Sequence, residues 1–88
     1  MVVATIPLAL DLFGTSFPVA VNPLTNTIYV ANTNSDFSGT LSVISGQTNT
    51  VVATVPVGRF PAGVAANPLT NSTYVTNESD NTVSVVAS

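Results

Sequence analysis

The chain has 88 residues, a formal net charge of -3, 45% hydrophobic residues and only 6% charged ones, with a single basic residue and neither Cys nor His. That composition excludes disulfides, Cys/His zinc centres and neutralisation of a nucleic-acid backbone, and it leaves one small domain that must be held together by packing. Mean hydropathy is +0.51, yet Pro, Asn, Thr and Asp interrupt every apolar run well short of the ~18 residues that a spanning helix needs.

In chain order, the first predicted element is the hexapeptide VVATIP, which starts at Val2 and ends at Pro7 and returns as VVATVP at residues 51–56. The opening MVVATIPLAL has the apolar character of a signal-peptide core, but no basic residue precedes it. Its recurrence in mid-chain predicts a strand instead. Residues 17–21 then predict an inner strand, followed by a turn at NPLTN (residues 22–26), where Pro23 presets φ and Asn26 takes the left-handed conformation. Residues 27–31, 40–45 and 50–57 are rich in Val, Ile, Thr and Tyr with a period of two, and predict three more strands. The turn SGQTNT (residues 45–50) lies between the last two, with Gly46 and Asn49 as its turn-forming residues. The order repeats with strands at 63–66, 72–76 and 82–87 and a second NPLTN turn with Pro68 and Asn71. No helix is predicted.

The two halves are copies. NPLTNTIYVAN at residues 22–32 answers NPLTNSTYVTN at 67–77, and TLSVI at 40–44 answers TVSVV at 82–86. The separation falls from 49 residues at the hexapeptide to 45 at the second motif and 42 at the third, so the first copy carries longer connections around Asp11 and Phe37. Length changes between motifs mark loops, and a period in the forties marks one supersecondary unit per repeat.

Tyr74-Val75-Thr76-Asn77, and Tyr29-Val30-Ala31-Asn32 with one change, resemble the signature of the YVTN β-propeller repeat family. GRFPAGVAANP (residues 58–68) and NTVSVV (residues 81–86) are similar to its loop, inner strand and third strand. The first copy departs from the family at Ser16 and Pro18 and in its longer loops. The resemblance implies an all-β fold of two four-stranded antiparallel blades, part of a ring around a central channel. On this reading residues 1–88 form one two-blade unit. Residues 2–8 are the outer strand of a preceding blade, 16–57 blade one, and 62–88 an incomplete blade two. The open blade would be completed by residues 2–7 of a neighbouring chain pairing with residues 82–87, giving a homo-oligomer with an even blade number. A fragment of a longer propeller would carry the same sequence.

The chemistry available is narrow. Without His, Cys or Lys the commonest general base, the best nucleophile and the Schiff-base residue are all missing, and GTSFP at residues 14–18 is no nucleophile elbow. No catalytic residue, metal site or cofactor is predicted. Connections in an up-and-down blade alternate between its ends, which gathers the charged residues Asp11, Asp36, Arg59, Glu78 and Asp80 at one end. Charge there either solvates long loops or forms a contact face at the channel mouth. Asp80 with Glu78, or Asp36 with neighbouring Ser and Asn oxygens, could hold Ca²⁺, although EF-hand spacing is absent and solvated loops account for both. NST at 71–73 and NES at 77–79 are glycosylation sequons that an Asn- and Thr-rich chain produces by chance. Two functions remain: a non-catalytic scaffold for protein or glycan binding, and a ring enzyme or cofactor binder of the lyase or redox class with its site at the channel mouth. The lack of His and metal-binding residues favours the scaffold. The Thr-, Asn- and Ser-rich composition points to an extracellular or cell-surface setting.

Overall fold

Period-two patterning resolves into seven strands between residues 19 and 87; the residues that this computed structural model describes are 1–8, 17–34 and 36–87. A four-stranded antiparallel sheet is formed by β1 (Val19–Asn22), β2 (Thr27–Thr33), β3 (Gly39–Ser45) and β4 (Thr50–Val57), in that order. A second antiparallel sheet holds β5 (Pro61–Asn67), β6 (Ser72–Asn77) and β7 (Thr82–Ala87). The described residues contain no helix, as the patterning requires.

The repeat in sequence is a repeat in register. Val19 stands opposite Val30 in the first sheet and Val64 opposite Val75 in the second, and Ala20–Tyr29 is likewise answered by Ala65–Tyr74. Since side chains alternate between faces, the Tyr29 face of the first sheet also carries Ala31, Leu41, Val43 and Val55. That face meets the second sheet. Tyr29, Ala31, Leu41 and Val75 form the buried core, with Val64, Ala66 and Val86 packed against it, and β5 is the strand that lies against β1 and β2.

One expected strand is absent from the single chain. Residues 1–8 form no strand, and Thr5, Ile6 and Pro7 rest beside Asn49, Thr50 and Val51 at the start of β4. Apolar, β-branched character is not enough for a strand, because the backbone N–H and C=O groups need a ladder partner. The inner strands also run differently from their predicted bounds, β1 starting later and β5 extending further at both ends.

The turns use Asn as the sequence predicts. Asn26, Asn49 and Asn71 have φ of 53°, 57° and 56°, each just before a strand. Asn81, at 58°, repeats the device ahead of β7. Gly46 differs from the expected turn role. Its N–H donates to the Asn26 carbonyl at 2.8 Å, and a Cβ there would lie 2.2 Å from Asn26 Oδ1, so glycine permits two neighbouring turns to touch. Gly58 serves close approach in the same way, since its Cβ would fall 2.4 Å from Asn77 Cγ.

Gly58→Ala is expected to destabilise the fold by about 1–3 kcal/mol through overpacking. Asn49→Val should cost about 1–2 kcal/mol for a left-handed β-branched residue, whereas Asn49→Gly should be nearly neutral. Denaturant midpoints check all three. Equal stability of the Asn49 pair would contradict the turn assignment.

Candidate contact face at the charged loop end

Antiparallel order sends the β2–β3, β4–β5 and β6–β7 connections to one end of the molecule, and the three uncharged turns to the other. Asp36, Arg59, Glu78 and Asp80 all lie in the first set and are all exposed. Asp11 lies outside the described residues.

Backbone hydrogen bonds tie these loops into one surface. The Phe60 N–H donates to the Phe37 carbonyl at 3.3 Å, and the Phe60 carbonyl accepts from Glu78 N–H at 3.0 Å. Arg59 is held from both sides: its N–H donates to Asp80 Oδ2 at 2.9 Å, and its carbonyl accepts from Ser79 N–H at 3.3 Å. Phe37 and Phe60 sit at φ of 70° and 54°, a conformation that costs bulky L-residues roughly 1–2 kcal/mol. The inter-loop bonds over-determine both residues, and such strain points towards a functional surface.

The acidic groups are structural as well as exposed. Asp36 Oδ1 accepts from the Ser38 hydroxyl at 2.5 Å and from the Ser38 N–H at 3.1 Å. These two bonds, led by the hydroxyl, hold the Asp36 carboxyl below its usual range, with a smaller contribution from the Arg59 charge. Asp80 clasps the Arg59 backbone. Among the described residues no three acidic side chains converge on a metal position.

Sequence reasoning did not foresee the roles of the two motif asparagines. Asn32 and Asn77 are both buried beneath the loop end. Asn32 Oδ1 accepts from Thr40 Oγ1 at 2.7 Å, and its amide donates to Asn34 Oδ1 at 3.1 Å. The Asn77 amide donates to Ser84 Oγ at 2.8 Å and Thr82 Oγ1 at 3.3 Å. The nitrogen that a glycan would need is therefore buried and engaged, so the sequon at Asn77 is a structural motif. Asn71, in the other sequon, accepts the Asn22 amide at 3.1 Å. Repetition of Asn at matching strand ends was the available signal.

At the opposite, outer side the two sheets splay apart. A cleft of about 440 Å³ opens between β4 and β7, lined by Tyr29, Val43, Val55 and Val86 among others. It lies where the second sheet lacks a fourth strand.

Models of known protein families give no match to this chain, and no curated protein matches it.

The pH dependence of the β2–β3 loop follows from Asp36. A depressed carboxylate contributes stability that is fully present above the usual value of 3.8 and is lost as pH falls through the lower folded value. The Ser38 amide resonance should therefore titrate below pH 3.8, and Asp36→Asn should abolish the step. A midpoint at or above the usual value would contradict the hydrogen-bond assignment.

Proposed function

We propose that the chain is a non-catalytic β-propeller repeat module of the YVTN type, acting as a scaffold whose charged loop end contacts protein or glycan ligands. The observation that carries this reading is the knitting of three loops into one exposed surface bearing Asp36, Arg59, Glu78 and Asp80. A surface pre-organised by backbone bonds loses little entropy on binding. The low charge elsewhere and the Thr- and Asn-rich turns support an extracellular or cell-surface setting.

The ring is completed in this proposal by strand exchange between identical chains. Residues 2–7 of one copy pair with β7 of the next, as β4 pairs with β3. Transferring the β3–β4 register sets Thr82 opposite Pro7, Ser84 opposite Thr5 and Val86 opposite Val2. The receiving edge favours this pairing. β7 (TVSVVA) has neither Pro nor charge, whereas the outer strand β4 is guarded by Pro56 and a bulge. The added strand would also wall the open cleft, where Val86 already stands.

Removal of residues 2–7 should reduce an assembled species to single chains, as read by light scattering. The contact face is tested on immobilised oligosaccharides and purified surface proteins. Arg59→Ala and Glu78→Ala should lose binding while changing stability by less than about 0.5 kcal/mol. Asp80→Ala should also unsettle the Arg59 loop. A bound redox cofactor or metal in the purified protein would favour a ring enzyme instead.

A further inference from the structure

The second sheet exposes a copy of the very face that the first sheet buries. Tyr29 is 0% exposed and its equivalent Tyr74 is 39% exposed, while Leu41 at 0% is answered by Val83 at 56%. Val85, equivalent to Val43, stands beside them on the same face, because Tyr74 pairs with Val85 and Thr76 with Val83. The far face of the first sheet shows the converse. Val19 and Val21, equivalent to the packed Val64 and Ala66, are exposed there. On that far face Ser42 and Ile44 are already buried, so the Tyr74 face and the Val19–Val21 part of the far face are the open halves of an interface that the chain has already built once.

We infer that a second copy of this chain packs head to tail on the Tyr74 face of the β5–β6–β7 sheet, bringing its own Val19 and Val21 face and reproducing the internal sheet-to-sheet interface between molecules. The inference rests on the strand-exchange reading for its partner and extends it to the faces that carry the contact. Polar detail agrees with the apolar match. Asn22 Oδ1 caps the Leu24 N–H at 3.1 Å while its amide donates to Asn71 across the internal interface. Asn67 Oδ1 caps the Leu69 N–H at the same distance of 3.1 Å, and its amide would meet Asn26 of the incoming copy.

One neighbour makes both contacts. Within the chain, the strand that completes the first sheet, β4, leads directly into the sheet that packs on it. Residues 2–7 stand in the same chain order before β1, so the copy that donates its strand also presents its Val19 face. Such an interface is heterologous, and it grows into a closed ring or a filament.

The test uses sedimentation of the full chain, two single-face variants and their mixture. Wild type should sediment as a multiple of the 9.0 kDa chain. Tyr74→Asp and Val19→Asp should each be folded and monomeric, with apparent dissociation constants raised roughly 30-fold or more, as for a truncated interface anchor. Mixed in equal amounts they should form a species of two chains, since each retains the face that the other lacks. Val85→Asp replaces Tyr74→Asp if circular dichroism shows that the latter unfolds. Leu69→Asp should leave the mass unchanged, because its equivalent Leu24 stays 73% exposed beside the internal interface. If wild type assembles and loses its assembly on removal of residues 2–7 but keeps it in both face variants, the face inference is overturned and the strand reading survives. If the face variants dissociate while the truncated chain stays assembled, the strand reading fails and the face inference stands. A monomeric wild type, or a mixture that stays monomeric, overturns the head-to-tail packing.

Discussion

Burial of Tyr29 between the two sheets is the interaction on which the fold depends. An antiparallel sheet with one apolar face is stable only when something covers that face, and a chain without disulfides or zinc ligands has only its own second sheet to offer. Tyr29, Ala31 and Leu41 supply one side of this contact and Val75 the other, with Val64, Ala66 and Val86 closing the margin. Loss of the Tyr29 ring would remove about 3–5 kcal/mol, a large share of what a domain of this size holds in reserve. The inner strands meet closely while the outer ones diverge, which is why the cleft opens beside β7 and not beside β1.

The same contact explains the division of labour between the two ends. Strand pairing leaves one end with compact Asn-terminated turns that touch through Gly46, and the other with the β2–β3 and β6–β7 loops and the β4–β5 connection that crosses between sheets. These three connections have backbone groups to satisfy. They do so with one another, through Phe37, Phe60 and Glu78, and with the Asp80 carboxylate, so exposed acidic groups become fasteners. Beneath them, the motif asparagines use buried amides to join the ends of β2 with β3 and of β6 with β7.

Much of this was legible in the residues, because period two, Pro-Leu-Thr-Asn turns and a repeated phrase are local signals. The third and outer strands of the first copy, and the left-handed Asn26, Asn49 and Asn71, follow directly from them. The grouping of Asp36, Arg59, Glu78 and Asp80 followed from alternation of connections alone. Burial of Asn32 and Asn77 was not legible, because a polar residue at a strand end looks the same whether its amide meets water or a hydroxyl across the ladder. Positive φ at Phe37 and Phe60 was hidden for a related reason: the bonds that enforce it join loops distant in sequence. The hexapeptide at residues 2–7 forms no strand within the chain while its copy in β4 does, because only the copy has a ladder partner among the described residues.

On the inferred head-to-tail packing, other copies of the chain stabilise the fold. Anything that binds the folded state and not the unfolded one raises the melting temperature with its concentration. The most direct measurement is therefore the melting temperature across a hundredfold range of protein concentration, followed by circular dichroism in the far ultraviolet. The account predicts a midpoint that climbs steadily with concentration. A fully cooperative transition whose midpoint stays constant across that range would show that the chain is complete by itself, and would contradict it.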